Sequence, residues 1–457
     1  MEPQKITSFQ SLKEKVGPFS LRNKIFLIPE MNHSSCHLLA AVFRGFGIQA
    51  RILETYQGMD LGKEYTSGKE CFPCQITTGD ILHFMRREQE RLGEGFNAGN
   101  YIYFMPEADG PCRFGMYNKH QRIVLDSFPE LEGVKIGSLT TKDSYALDGM
   151  IEKSSLKAFR KVSYLSVVVS DILDRLLWRI RPYEKENGIT DTYMKSALRH
   201  MRNTFEACAA DKDFEKILDT LDEIVETAAG LIDPTIGPKP RIGVVGEIYL
   251  RTHVHANQDL IRMLERYGAE VVNASISEWI NYITYDSLRK AKSGFRMSLK
   301  QLRTSDVMRH LRAIFRFGGE LLYQERRQQQ VYRRAQQLLD LTADHRLAHL
   351  EQTLSREDLF SFDIGTEACL SIASILEYAR DGFDGVVNVY PFTCMPSTIT
   401  SAVIRPRIGQ LQIPYVDTPY DGSIQPGRES TLRTFMYQAR QHFHRRVSPP
   451  LGEPATG

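Results

Sequence analysis

Short apolar runs alternate with helical stretches in the first third of the chain. Residues 24–29 form an apolar run closed by Pro29, which predicts a buried strand. A helix is predicted from about residue 35 to 46 with its end at Gly47, and residues 48–53 predict the next strand. The three elements form a strand–helix–strand unit, for which a right-handed crossover is expected.

The same alternation continues with a predicted helix over residues 76–92 and predicted strands over 101–105 and 134–139. Such a sequence of elements predicts a mostly parallel α/β sheet. Residues 154–232 carry apolar side chains at helical spacing, and the Pro/Gly-rich residues 233–240 predict a stiff linker.

A second α/β pattern follows the linker. Strands are predicted over residues 241–246, 269–273, 385–390 and 413–416, with a helix over 257–267 and long basic helices over about 290–350. The sequence therefore predicts an α/β fold of two Rossmann-like modules with parallel sheets, joined by a helical segment. The expected division is an N-terminal module (1–153), a helical segment (154–232), a C-terminal module (233–446) and a disordered tail (447–457).

The composition is that of a globular protein, and the polar N-terminus indicates where in the cell the protein is expected. The 457 residues exceed one ordinary core, and 42% are hydrophobic and 25% charged, with a net charge of only +2. No apolar run approaches the ~20 residues that span a bilayer. The first 16 residues are polar and lack the apolar core of a signal peptide, so a cytoplasmic location is expected.

The cysteines fall into two groups. There are seven of them, an odd number at irregular spacing, which argues against a disulfide framework. Cys208 and Cys369 lie in predicted helices and are expected to be small buried residues. Cys71, Cys112 and Cys394 instead stand in settings rich in glycine or proline.

The predicted topology places these three cysteines at comparable positions. Cys112 and Cys394 each follow a predicted strand, and Cys71 lies at the entrance to a predicted helix. Ligands of open α/β sheets bind beyond the carboxyl ends of the strands. If the two modules face each other, the three sulfur atoms could converge in the cleft between them.

The surroundings of these cysteines suit an anionic iron–sulfur cluster. A helix N-terminus favours the thiolate that such a cluster needs. Gly110 and Gly115 would let backbone amides approach the cluster, and Arg113 could offset its charge. The chain has no compact ferredoxin-type cysteine run, so on spacing alone ordinary loop thiols are an equal alternative.

Several segments resemble the coenzyme A activase-associated family, which is related to the 2-hydroxyacyl-CoA dehydratase and benzoyl-CoA reductase subunits. The similar segments are GPCRFGMY (110–117), residues 65–79 with Cys71-Phe-Pro, GEIYLR (246–251), Glu278-Trp279, YPFTCMP (390–396), and YDG (420–422) followed by Arg433 and Phe435. The resemblance spans most of the chain in order. It implies a two-module fold with a [4Fe–4S] cluster held by Cys71, Cys112 and Cys394.

The resemblance also implies partners and a substrate class. In such systems a separate ATP-hydrolysing activator supplies a low-potential electron, and the dehydratase removes water from an acyl-CoA. A homologous subunit or a homodimer is a further expected partner. The Asp363-Ile-Gly-Thr366 segment resembles the phosphate loop of an actin-like ATPase, but it leads into a helix and predicts a helix N-terminus. The activator is therefore expected to be another chain.

Cys74 departs from the family pattern and leaves alternatives open. In Cys71-Phe-Pro-Cys74 it could be a fourth ligand, a neighbour, or half of a thiol–disulfide pair of the Cys-x-x-Cys type. Zinc on the same thiolates is another alternative. A non-catalytic binding or scaffold protein of the same fold is the alternative outside redox chemistry.

For several other polar residues a structural role is as good an explanation as a functional one. Glu247 and Arg251 follow the first strand of the second module, where they could contact a ligand or form a structural ion pair. His253 and His255 could converge on a metal from one side of an extended strand, although loop histidines are commoner. Asn257 predicts a helix N-cap.

The basic segment at residues 289–334 raises a nucleic-acid hypothesis. Its aromatic residues recur at helical spacing, which predicts that they form a buried face and do not stack on bases. The basic residues are then expected to form an ordinary solvated helix surface, and nucleic acid is not an expected partner. The phosphates of coenzyme A are a second functional explanation for the charge. The aromatic residues concerned are Phe295, Phe315, Phe317, Tyr323 and Tyr332.

Overall fold

The computed structural model describes residues 8–108, 110–140 and 150–447, and residues 448–457 of the predicted tail lie outside this range. The chain divides into two compact units. Unit 1 comprises the described residues within Met1–Leu173, Lys195–Glu226 and Ser275–Asp340. Unit 2 comprises Asp174–Met194, Thr227–Ala274 and the described residues from Leu341 onward. The modules predicted from the sequence are contiguous, whereas each unit of the structure is made of three separate segments of the chain.

The sheet of unit 1 has five strands in the order β1-β5-β4-β2-β3, and every neighbouring pair is parallel. The strands are Val16–Gly17 (β1), Ile25–Ile28 (β2), Gln49–Ile52 (β3), Tyr101–Phe104 (β4) and Lys135–Gly137 (β5). The interior strand β2, between β4 and β3, is almost fully buried, as expected for a strand covered on both faces. It places Phe26 and Leu27 in the core with no exposed surface.

Helices connect and cover these strands. Asn32 begins the first crossover helix by accepting a hydrogen bond from the Ser35 amide at 2.7 Å, and Gly47 ends the turn after it with φ +77°. The helices of the N-terminal part are Phe9–Lys15 (α1), His33–Gly45 (α2), Met59–Glu64 (α3), Phe72–Leu92 (α4) and Tyr117–Asp126 (α5). Three further helices follow: Lys153–Ile180 (α6), Ile189–Cys208 (α7) and Phe214–Ala229 (α8).

Glycines allow α3 to lie directly against α4. A Cβ atom on Gly79 would lie 2.1 Å from the carbonyl oxygen of Gly58, and one on Gly62 would lie 2.0 Å from that of Gln75. Only glycine permits such backbone contact. This contact fixes the position of α4, whose first residue follows Cys71.

The sheet of unit 2 has four parallel strands in the order β7-β6-β8-β9. They are Arg241–Gly246 (β6), Glu270–Asn273 (β7), Gly385–Pro391 (β8) and Tyr415–Tyr420 (β9). The last strand begins two residues later than the predicted one and continues to Tyr420, because it pairs with β8 through Pro391. Two parallel sheets in an α/β chain confirm the predicted class of fold.

The helices of the C-terminal half differ widely in length. They are Ile248–Thr252 (α9), Leu260–Arg266 (α10), Ile276–Lys300 (α11), Thr304–Leu338 (α12), Leu347–Glu357 (α13), Ala368–Arg380 (α14), Met395–Leu411 (α15) and Arg428–Val447 (α16). Of these, α11 and α12 belong to unit 1. None of the helices within the described residues is long and apolar enough to cross a membrane.

The basic segment forms the paired helices α11 and α12. Arg334 binds three acidic residues of α8, which neutralises part of the charge: Glu215, Asp219 and Asp222. Phe317 and Tyr332 are buried as predicted, but Phe315 is 74% exposed, so the prediction that it belongs to a buried face is wrong. Its position two residues before Phe317 puts it on the opposite side of the helix.

The α3–α4 contact predicts a strong effect of Gly79→Ala. The new methyl group would meet the Gly58 carbonyl, so we expect the free energy of unfolding to fall by about 2–3 kcal/mol. Gly319→Ala is the matched control, because Gly319 also lies in a helix of unit 1 and has open space at its Cβ position. That control should be neutral or stabilising by up to about 1 kcal/mol. Urea unfolding followed by circular dichroism measures both, and equal effects would contradict the close contact.

Candidate functional site

The two sheets share a topological feature that places two of the cysteines. In unit 1 the chain leaves β2 for β3 on one side and then adds β4 on the other. In unit 2 it leaves β6 for β7 and then adds β8 on the other side. Each sheet thus has a switch point, between β2 and β4 or between β6 and β8, where open α/β sheets bind ligands. Cys112 follows β4 and Cys394 follows β8, so the two residues are topologically equivalent.

The loop after β4 holds Cys112 in a tight turn. Cys112 precedes a 3₁₀ turn, and its carbonyl accepts a hydrogen bond from the Gly115 amide at 3.2 Å. Gly110 has φ +100°, and a Cβ atom on Gly115 would lie 2.5 Å from the Ala108 carbonyl oxygen. Both glycines are therefore required by the backbone path. The Cys112 side chain remains half-buried.

Arg113 connects the Cys112 turn to the Cys71 segment. Its Nη1 atom donates a hydrogen bond to the carbonyl of Lys69 at 2.6 Å, two residues before Cys71. Unit 1 thus brings the segments of Cys71 and Cys112 together. Cys394 belongs to unit 2, together with Glu247 and Arg251.

Cys71 occupies the N-cap position of α4. The helix begins at Phe72, four residues earlier than predicted, with proline in its first turn. The Cys71 carbonyl accepts the amide hydrogen bond of Cys74 at 2.8 Å. Cys71 lies at the positive end of a 21-residue helix, which favours a thiolate there.

Cys74 lies one turn further along and is 1% exposed within the core of unit 1. Burial raises the pKa of its thiol to about 12, and the nearby Cys71 adds to the rise. A buried, protonated thiol disfavours rapid thiol–disulfide exchange. The structure thus favours the role of a core neighbour for Cys74.

Cys394 is the N-cap residue of α15 and is 4% exposed. Its amide donates a hydrogen bond to the Pro391 carbonyl at 2.8 Å, which closes a turn through Thr393. Thr393 has φ +65°, a left-handed conformation that is strained for a β-branched residue. Burial raises the pKa of the Cys394 thiol well above its usual value, and the charges of Glu367 and Glu247 act in the same direction.

Gly246 directs Glu247 toward the switch point of unit 2. It has φ +114°, and a Cβ atom there would lie 2.1 Å from the Val389 carbonyl of β8. Among the described residues, the Glu247 carboxylate caps α9 by accepting the Leu250 amide at 2.9 Å and forms no ion pair with Arg251. The carboxylate thus serves the helix N-terminus, and the charge of Arg251 lowers the pKa of Glu247 against the rise caused by burial.

Glu367 is a residue of this edge that sequence reasoning missed. It precedes α14, the helix that leads into β8, just as Cys71 precedes α4, which leads toward β4. Burial raises the pKa of Glu367 to about 8, and the charge of Glu247 adds to the rise while Arg251 opposes it. Burial likewise raises the pKa of Glu247. The signal in the sequence was an acidic residue at the start of an apolar helix.

Arg251 brings an incompletely satisfied positive charge to the same edge. Its side chain is 6% exposed, and its Nε atom is buried without a hydrogen-bond partner among the described residues. A buried donor without a partner costs free energy unless an acceptor binds to it. An anionic group bound at this edge would satisfy this donor.

The histidines after α9 do not form the predicted extended pair. His253 ends the short helix α9, and its Nδ1 atom accepts a hydrogen bond from the Ala256 amide at 3.1 Å. The rings of His253 and His255 meet edge to face at 6.0 Å. The prediction of an extended strand is wrong because Glu247 starts a helix. Asn257 accepts the Leu260 amide of α10 at 3.1 Å, as a cap does, although Asp259 directly precedes that helix.

A second set of potential ligands lies at the switch point of unit 1 and was also missed. Glu30, His33 and His37 follow β2, and their ligand atoms lie within 4.8 Å of one another. Burial, followed by the charge of His33, lowers the pKa of His37 to about 4, which keeps its imidazole neutral. This arrangement results from helical spacing at the start of α2.

Comparison of the sequence with protein-family models and with curated proteins identifies no similar family or protein.

The acidic edge of unit 2 predicts a specific pH dependence. Because the folded-state pKa of Glu367 is about 8, the folded chain keeps a proton that the unfolded chain releases from about pH 4.5 upward. The free energy of unfolding therefore falls as the pH rises through this window. Glu367→Gln should reduce that fall and raise the free energy of unfolding at pH 8 by roughly 1 kcal/mol or more.

Urea unfolding at pH 5, 6.5 and 8 measures this effect. Glu429→Gln is the matched control, since it removes an exposed carboxylate of α16 in the same unit. We expect the control to keep the pH slope of the parent protein. An unchanged slope in Glu367→Gln would show that this carboxyl group is not held protonated.

Proposed function

We propose that the protein binds a [4Fe–4S] cluster through Cys71, Cys112 and Cys394 and acts as a reductase or dehydratase-like component. It would receive a low-potential electron from a separate ATP-hydrolysing activator. The observation that carries the proposal is the equivalent position of Cys112 and Cys394 at the two switch points. The hydrogen bond from Arg113 to the Cys71 segment supports a shared role for the first two ligands.

The local electrostatics on unit 1 favour an anionic cluster. Cys71 lies at the N-terminus of a 21-residue helix, and Arg113 is next to Cys112. The positive helix end and the guanidinium both stabilise thiolates and a cluster of negative charge. Gly110, with φ +100°, and Gly115, whose Cβ position lies 2.5 Å from the Ala108 carbonyl oxygen, give this turn its backbone path.

The edge of unit 2 carries both acidic and basic side chains, and its net charge depends on whether the carboxyl group of Glu367 is protonated. Like Cys71, Cys394 lies at the positive N-terminal end of a helix, here one of 17 residues. Glu247 and Glu367 oppose negative charge there, but a pKa of about 8 keeps Glu367 protonated at neutral pH. The buried Nε donor of Arg251 is available for an anion. Since burial raises the pKa of Cys394, metal binding must displace a proton from its sulfur.

The number of ligands decides what the cluster could do. Three cysteine ligands leave one iron without a protein thiolate, and that iron could bind a substrate oxygen as a Lewis acid. Cys74 is expected not to be a ligand, because the sequence resemblance implies only Cys71, Cys112 and Cys394, and its side chain, 1% exposed, is more deeply buried than that of Cys71 at 7%. The chain itself would then hold the cluster, exclude water around it and orient the substrate. An acyl-CoA thioester as the substrate enters the proposal through the sequence resemblance.

Replacement of each proposed ligand by serine tests the cluster. Cys71→Ser, Cys112→Ser and Cys394→Ser should each weaken cluster binding by roughly tenfold or more. The control is Cys208→Ser, since Cys208 ends α7 and takes no part in the edge of either sheet. Iron and acid-labile sulfide are counted after anaerobic purification, together with the broad absorption in the blue region and its loss on reduction.

The outcomes of that experiment separate the competing functions. Colourless parent protein without iron under anaerobic conditions would contradict the cluster. Loss of iron in Cys71→Ser and Cys112→Ser but not in Cys394→Ser would contradict the joint ligand set. Zinc in place of iron and sulfide would favour a thiolate zinc site.

Cys74→Ala tests whether this residue is a fourth ligand. We expect the variant to keep the iron and sulfide content of the parent protein. It should lose about 1–2 kcal/mol of the free energy of unfolding, because the sulfur fills a packed core. Iron loss equal to that of Cys112→Ser would make Cys74 a ligand and would leave no open iron for a substrate.

A further inference from the structure

Unit 2 contains a cluster of potential metal ligands away from the switch point. His345 lies just before α13, His349 lies in its first turn, and Glu377 lies in the last turn of α14. One ligand atom from each of the three side chains lies within 4.8 Å of the other two. The cluster therefore joins the start of α13 to the end of α14, the next α-helix along the chain.

The carboxylate of Glu377 is oriented so that its two oxygen atoms have different surroundings. Oε1 accepts hydrogen bonds from Thr353 Oγ1 and Arg380 Nη1, each at 2.6 Å. Oε2 lies 2.9 Å from His349 Nε2 and 3.9 Å from His345 Nε2. The protein thus holds one oxygen and leaves the other facing two imidazoles. Carboxylate ligands of metal ions are commonly fixed by hydrogen bonds of this kind.

The two histidines are arranged side by side. Their rings stack with centroids 5.5 Å apart, which points both Nε2 atoms to the same carboxylate oxygen. Asp381, which ends α14, lies 3.1 Å from His345 Nε2 through its Oδ2 atom and can reach the same place. The C-terminal end of α14 adds partial negative charge, which favours a cation.

We propose that His345, His349 and Glu377 bind a divalent transition-metal ion of the Zn²⁺ class, with Asp381 or a water as the fourth ligand. Two imidazoles and one or two carboxylates form the donor set that such ions prefer. Mg²⁺ and Ca²⁺ require more oxygen ligands than the cluster offers. Small rotations suffice, because nitrogen and oxygen ligands lie at roughly 2.0–2.2 Å from zinc.

The charge of Arg380 does not prevent binding. Arg380 contacts only the oxygen that faces away from the imidazoles, and its Nη2 atom binds Glu357 at 2.7 Å. The ion would connect the start of α13 to the end of α14. Such a connection would hold these two helices of unit 2 together.

This inference does not rest on the proposed cluster. Glu367 and Glu377 lie at opposite ends of α14, about 15 Å apart along its axis. Loss of the metal site should leave iron and sulfide unchanged, and loss of the cluster should leave the metal site unchanged.

Co²⁺ is the probe, because its spectrum distinguishes nitrogen and oxygen ligands from thiolates. Metal-depleted full-length protein is titrated with Co²⁺ alone, and the parent should bind it with visible bands free of sulfur charge transfer. His345→Ala and His349→Ala should weaken this binding at least about tenfold. His349 is 42% exposed, so its replacement is not expected to impair folding. His444→Ala, an exposed histidine of α16 in the same unit, is the matched control and should bind as the parent does.

A thermal unfolding scan with and without Zn²⁺ gives a second measurement. Zn²⁺ should raise the unfolding temperature of the parent protein and of His444→Ala, but not that of His349→Ala. Binding of equal strength in the parent and in both histidine variants would overturn the proposal. A parent protein that binds Co²⁺ only with thiolate bands would overturn it as well.

Discussion

The parallel pairing of neighbouring strands is the constraint on which the candidate site depends. In a parallel sheet all strands end at the same edge, so the chain must return through a helix before it can add another strand. Those helices then begin at the edge where the strands end. Cys71 and Glu367 precede such helices, while Cys112 and Cys394 follow the strands. The chemistry of each unit is thus collected at one edge by backbone pairing alone.

Much of this arrangement could be predicted from the sequence. The apolar runs at residues 24–29 and 385–390 were enough to place β2 and β8 and their ends, because buried parallel strands are short and apolar throughout. Glu367 was missed since its environment depends on Glu247, which is distant in the sequence. The pair of His253 and His255 was mispredicted because one helix cap at Glu247 changed the local path of the chain. Side-chain contacts between distant segments leave no periodic signal.

The sheet edges of the two units differ in the charged groups that lie near their cysteines. Unit 1 surrounds its cysteines with a helix end, glycines and Arg113, which together favour negative charge. Unit 2 places Glu247 and Glu367 near Cys394 and offsets them with the buried Arg251. Protonation of one carboxyl group therefore sets the net charge that Cys394 experiences.

Thr393 has a consequence for the lifetime of the turn that carries Cys394. A threonine with φ +65° stores strain that the surrounding packing must hold, so the turn exists only when β8 and α15 are in place. The sulfur is therefore oriented by the folded scaffold before any ligand arrives. A ligand that binds there loses little entropy from ordering the chain. The same turn would keep its form with or without a ligand, because the scaffold and not the ligand holds it.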